Sequence, residues 1–365
     1  QNTVQRMLEK DAKLMIGGYG QIDYNQEINS HTNYNGNMDV HRLVLLFGYK
    51  FNSKTSFFSE IELEHVKEVY VEQAFLHHKI NDWLNFKAGL MLIPIGFINE
   101  YHEPPLYNGV ERPNVDKYVV PTTWREIGIG FSGKIKEYSF KYQLYLTNGF
   151  LGYDGNAKFD GKTGLRGGRQ KGAKSVFSSP NITGRIDYFA VPGLKLGLSG
   201  YFGNSQSTAY DGIGKNDEIL QQSADSTVVG ISMFGIDAQY NIKGFGFRGQ
   251  FNLSQQSNTL EYNQFTGSNL GSKIMGFYLE VSYNAFQSFQ TKHQLIPFVR
   301  YENYNTHASV EEGIIIEDAY AREEFIFGLG WKMHKGAVLK ADYQILNEGS
   351  NSQRNFFNMG VGVMF

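Results

Sequence analysis

Four carboxylates fall close together early in the chain: Glu60, Glu62 and Glu64 alternate along one run, and Glu72 lies on the next. Alternate residues of an extended chain share a face, so the first three carboxylates point the same way and Glu72 sits on the hairpin partner. Such a cluster repels itself unless Lys or Arg faces it or a cation binds. An ion-pair network with bulk counterions is the preferred reading over a Ca²⁺ site. His77 and His78 are adjacent and point to opposite faces, so they offer no metal-ligand pair. His102 reads as a loop-packing residue rather than a base. Serines are plentiful, but no Ser/His/Asp set is assigned. The Gly-rich run 161–172, which contains the basic stretch GLRGGRQKG at 164–172, has no helix after it to cradle a phosphate. It reads as a mobile solvated loop in preference to a patch for lipopolysaccharide phosphates or anionic solutes. No catalytic residue, metal or cofactor is called for, and no enzymatic activity is expected.

The elements that must position these residues are strands. After residue 12 the chain alternates apolar and polar residues in segments of about ten, the period of a strand with two different faces. Sixteen such segments are expected, at 13–24, 38–50, 55–64, 68–79, 84–96, 123–134, 138–148, 181–190, 194–203, 227–241, 245–254, 274–285, 293–304, 323–333, 337–347 and 355–365. Their connections alternate between short turns, such as 51–54, 80–83 and 242–244, and long polar loops, such as 97–122, 149–180 and 204–226. The link at 65–67 is short where a long one is due. Tyr24, Tyr49, Phe51, Trp83, Tyr138, Tyr240, Tyr283, Tyr301 and Trp331 fall near segment ends, where amphipathic rings suit a headgroup layer. The expected fold is an all-β, sixteen-stranded antiparallel transmembrane barrel over 13–365, with short periplasmic turns, long outer loops and a short periplasmic segment at 1–12.

Composition agrees. The chain has 365 residues with 41 Gly, 28 Phe and 23 Tyr, 8 Pro and no Cys. Mean hydropathy is −0.37, which a spanning barrel tolerates because its apolar band occupies only every second residue. A net charge of −2 gives no general attraction to nucleic acid. The opening QNTVQRMLEK lacks a basic stretch followed by an apolar core, so any secretory signal is expected to be gone or never present. In the last segment Phe357, Val361, Val363 and Phe365 share one apolar face with Met359. A face ending on a terminal Phe resembles the signal by which the barrel assembly machinery recognises outer-membrane proteins.

Residues 70–128 resemble the phosphate-selective porin O/P family. The elements are Ala88, Gly89, Pro94 and Gly96 ending a strand, then Glu100, His102 and Pro104, then Gly109, Val110, Glu111, Arg112 and Pro113. The basic 164–172 stretch is similar to that family as well. The resemblance implies a sixteen-stranded barrel, often a homotrimer, that passes small solutes, with its third outer loop folded into the lumen. Loop 97–122 is that third outer connection, and prolines stiffen it.

In the lipid-facing phase stand Leu43, Leu45, Phe47, Leu90, Leu92, Phe140, Leu144, Phe247 and Leu279. The opposite phase carries cations and anions in near balance: Arg42, Lys87, Lys141, Arg185, Arg248, Arg300 and Lys340 among the first; Glu60, Glu62, Glu64, Glu72, Glu126, Glu280 and Glu302 among the second. A dedicated anion pore would show rings of Arg and Lys, so the family's phosphate is not carried over as a substrate. The expectation is a porin: a passive or weakly selective channel for small polar solutes or ions, constricted by loop 97–122. The proposed pore and constriction residues are Arg42, Glu60, Glu62, Glu64, Glu72, His102, Arg112, Glu126, Arg185, Arg248 and Arg300. Expected partners are outer-membrane lipid, lipopolysaccharide and sister subunits or other outer-membrane proteins. The alternative is a non-conducting accessory barrel of an assembly or secretion complex.

Overall fold

A computed structural model of the chain describes residues 2–9, 12–349 and 352–365. Its elements in order are α1 (Thr3–Glu9), β1 (Leu14–Ile28), β2 (Asn37–Lys50), β3 (Thr55–Glu64), β4 (Glu68–Lys79), β5 (Asn85–Leu92), α2 (Val115–Tyr118), β6 (Arg125–Ile135), β7 (Phe140–Thr147), β8 (Leu151–Tyr153), β9 (Asn181–Tyr188), β10 (Leu194–Asn204) and β11 (Gln206–Ser207). They continue with α3 (Glu218–Asp225), β12 (Gly230–Ile242), β13 (Phe245–Ser257), α4 (Thr259–Thr266), β14 (Lys273–Tyr283), β15 (Gln294–Ser309), β16 (Ala321–His334), β17 (Ala337–Glu348) and β18 (Ser352–Met364).

Sixteen of the strands close into one antiparallel barrel, each beside its sequence neighbour, with β1 meeting β18. β8 and β11 stand apart as a parallel pair among the loops. The periodicity sets this outcome. Outward positions such as Leu43, Ile129, Leu144, Phe234, Leu279, Val299 and Phe327 are exposed, whereas their neighbours in sequence face a buried interior. Apolar side chains outside and polar ones inside invert the arrangement of a soluble sheet. Tyr49, Phe51, Trp83, Tyr138 and Trp331 lie exposed at the short-turn end, where a belt is expected.

The short outer link is a tight hairpin. His65 and Val66 of this three-residue link both take left-handed backbone, φ 52° and 65°, and the Lys67 amide closes on the Glu64 carbonyl at 3.2 Å. Beside it the register slips by one residue between Glu60 and Ile61, so that Glu60 pairs with Gln73 and Ile61 with Val71. Glu72 is therefore the extra residue of a bulge, a device that re-aims side chains. Here it buries Glu72 and Gln73 together.

Two expectations about the wall need correction. The segment 84–96 is not strand throughout: β5 ends at Leu92 and the chain turns inward, because Ile93 and Ile95 join a buried cluster with Val115, Val119 and Trp124. Leu90 and Leu92 lie in the outward phase but are covered, at 9% and 8% exposure. Gly172 packs so closely on Leu90 that an added Cβ would sit 2.9 Å from its side chain.

Candidate functional site: a loop-filled lumen

The loop between β5 and β6 crosses the lumen and is fastened to the wall on many sides. The Val115 amide donates to Glu302 at 3.0 Å, and the Val110 amide to Asp342 at 2.6 Å. Arg300 donates to the carbonyls of Asn108 and Glu111, and Lys340 to those of Tyr107 and Gly109. Across the barrel, Arg185 reaches the Gly96 carbonyl at 3.4 Å, and Gln143 donates to Glu100 at 2.8 Å. The pattern is consistent: wall cations take loop carbonyls and wall carboxylates take loop amides, the partners that irregular backbone inside a barrel requires.

The acidic hairpin lies under one edge of this loop. His102 contacts the Tyr19 hydroxyl at 2.9 Å through Nε2, which also stands 3.3 Å from Glu72 and 3.8 Å from Glu60. Its Nδ1 faces the Asn99 carbonyl at 3.0 Å. Burial works against charge on this imidazole, but the carboxylates of Glu60 and Glu72 beside it push its pKa up to about 10. Arg42 lies 3.7 Å from Glu62, and Arg125 donates to Glu72 at 3.3 Å. Three carboxylates thus meet Arg42, Arg125 and an imidazolium, a balanced set.

Glu60, Glu72 and His102 have donor atoms within 4.8 Å of one another, a spacing a divalent ion could use. The adjacent guanidinium groups already compensate the acids, and the set fits an ion-pair network better than a metal centre. Glu64 is not part of it: it lies half-exposed at the rim near His65.

The remaining expected residues divide into groups. Arg185 forks onto Asp237 at 2.7 and 2.9 Å and holds Asp187 as well. Arg300 lies between Glu302 at 2.9 Å and Glu280 at 3.5 Å. Glu126 is enclosed by Trp124, Asn148 and the Gln170 amide. Arg112 is half-buried in the loop and donates to Thr123. Arg248 and Lys332 line a polar cavity of about 310 Å³ at the short-turn end, with Asn108, Gln287 and Gln294.

The 161–172 stretch is folded, contrary to the solvated loop expected. Leu165 is buried at 3% exposure. Arg166 donates to the Lys117 and Thr122 carbonyls, and Arg169 to those of Pro121 and Thr123. Guanidinium forks order a loop when carbonyls are arranged to receive them. Arg112, Arg166 and Arg169 consequently crowd together; burial first, and then the neighbouring charges, pull the pKa of each below its ordinary value. Tyr19 and Arg125 were not expected at the site, and Arg166 and Arg169 were expected only as part of a solvated loop. The basic run was visible, but Arg125 sits in the outward phase and gave no signal.

A closed sixteen-strand antiparallel barrel with a loop folded into its lumen is the architecture of outer-membrane porins. An anion-selective porin from Comamonas acidovorans is similar, with a TM-score of 0.62 at 11% identity over 96% of this chain and 99% of that one. Salmonella typhi OmpF in complex with daunomycin gives 0.60 at 12%, and the outer membrane channel DcaP of Acinetobacter baumannii 0.59 at 11%; each match covers 96% of this chain and 97% of the other. No family model matches the chain. It belongs to one family with an uncharacterized protein of Aquifex aeolicus (strain VF5), 33% identical over 96% of this chain and 79% of that protein.

Proposed function

We propose that the chain is an outer-membrane porin, a passive and weakly selective channel for small polar solutes or ions, narrowed by loop 97–122. The observation that carries this reading is the loop itself. It runs through the lumen between Arg300, Glu302, Lys340 and Asp342 on one side and Glu60, Glu72 and Arg185 on the other. Opposed fixed charges across a constriction set both its width and its field. The resemblance of residues 70–128 to the phosphate-selective porin O/P family supports the same class, and the mixed wall charges argue for weak selectivity. A homotrimer in contact with lipopolysaccharide, folded by the barrel assembly machinery, fits this reading.

A second reading, a non-conducting accessory barrel, is favoured by the burial of the lumenal charges: Arg42, Glu72, Glu302 and Glu324 are all at or below 1% exposure. Planar-bilayer recording separates the two. Removal of residues 102–116 should raise single-channel conductance and admit larger solutes. If wild type and deletion are both silent, and releasing the N-terminal helix brings no current either, the accessory reading replaces the channel.

A further inference from the structure

We infer that α1 is a stopper seated in the lumen beneath the constriction loop, and that conduction requires it to leave; this rests on the channel reading above. The helix precedes β1 at the short-turn end and turns back into the barrel. Thr3 and Met7 are buried to 2% and 1% exposure. Met7 belongs to one buried cluster with Met15, Leu46, Phe58, Phe75 and Met91 of the barrel strands. Apolar side chains lining a water-filled pore would be wetted, and Val4 and Met7 of α1 help to cover them. The wall also makes room for the helix: a Cβ on Gly17 would lie 2.7 Å from Cγ2 of Thr3 and 3.4 Å from Sδ of Met7.

The helix is tied to the constriction as well as to the wall. The Thr3 amide donates to Oε1 of Glu103 at 2.7 Å, and the Asn2 side chain to the Glu100 carbonyl at 2.8 Å. Oε2 of Glu103 is buried with no hydrogen bond, and Oε1 takes its hydrogen bond from α1. Glu100 and Glu103 flank His102, so the stopper and the ionic seat of the loop share one short segment. Among the described residues the hold is slight compared with the barrel: a seven-residue helix, a few hydrogen bonds, and Thr3 and Met7 buried. A piece held so lightly can be released while the sixteen-strand wall persists. The polar cavity beside Arg248 and Lys332 lies on the opposite side of the lumen, so the space α1 vacates would be added to an existing polar vestibule.

The chain has no cysteine, so an engineered disulfide tests this without competitors. In full-length Thr3→Cys/Gly17→Cys the two side chains start within bridging distance. Recorded in planar bilayers, the oxidised pair should spend at least about tenfold less time open than the same sample after reduction, converting at about 1.4 kcal/mol per tenfold. Gly17→Val, whose side chain displaces Thr3 and Met7 and touches the Phe365 carbonyl at 3.2 Å, should be open more often than wild type. Equal conductance of the oxidised and reduced pair, or of Gly17→Val and wild type, overturns the stopper and leaves the channel standing. Silence of wild type, reduced pair and Gly17→Val alike overturns both.

Discussion

Replacing Arg300 by Ala should release the constriction loop without opening the barrel wall. Arg300 is 3% exposed and binds Glu302 and Glu280 together with two loop carbonyls. Its loss leaves two buried carboxylates facing each other's field, and removing one partner of a buried pair costs about 3–5 kcal/mol. Arg248 still stands 3.9 Å from Glu280, so the lower end of that range applies. At about 1.4 kcal/mol per factor of ten, the population of the unseated loop should rise roughly a hundredfold. The ladder bonds of β14, β15 and β16 do not involve the side chain, so the strands should keep their protection. Hydrogen exchange on the folded protein reads both: amides at 108–116 should lose about two orders of magnitude of protection while those of 294–305 hold theirs. Arg300→Lys keeps the charge but not the fork and should fall between. A loop change of less than about threefold in Arg300→Ala would show that the ion pairs do not seat the loop.

Other outcomes follow from the same contacts. Arg112→Glu should shift ion preference toward cations in bilayer reversal potentials, an effect that shrinks as salt rises and screening shortens to roughly 3 Å at 1 M; no shift at low salt would place Arg112 off the ion path. Because His102 has its folded pKa raised from 6.5 to about 10, its stabilisation is full below about pH 6.5 and fades as pH climbs through 10. Loop protection should track that curve in wild type and lose it in His102→Gln, as exchange at several pH values would reveal. Deleting Phe365 should lower the folded outer-membrane population severalfold with synthesis unchanged; equal surface abundance would mean that the exposed face of Met359, Val361, Val363 and Phe365 is not read during assembly.

The wall was legible because alternation is a local signal. Segments 55–64 and 68–79 coincide with β3 and β4, and the others differ from their strands by a few residues at the ends. The 84–96 segment misled for a physical reason: Ile93 and Ile95 alternate as strand residues do, yet their apolar faces find partners inside the lumen rather than in lipid. The interior was legible only as a set of charges. Which cation meets which acid depends on contacts between distant residues, such as His102 with Tyr19 or Arg300 with Asn108, and on the slip that turns Glu72 inward. The fixing of 161–172 depends on carbonyls at 117–123 that only the folded loop presents.

The early exit of the chain at Leu92 leaves a seam. β4 pairs with β5 only from Lys79 up to Ala74, so the stretch of β4 above Ala74 has a bare edge on that side. Hydrocarbon cannot satisfy a bare edge, and here side chains take over from strand. Arg125, though placed in the outward phase, donates through Nε to the Val71 carbonyl at 3.1 Å. Lys171 lies over the Tyr70 ring, and Gly172 covers Leu90. The loop that obstructs the interior therefore also deprives the wall of a full-length strand, and the tube is laced rather than woven at that point. Heat, detergent or pulling force should part the barrel there first, and Arg125 is the lace.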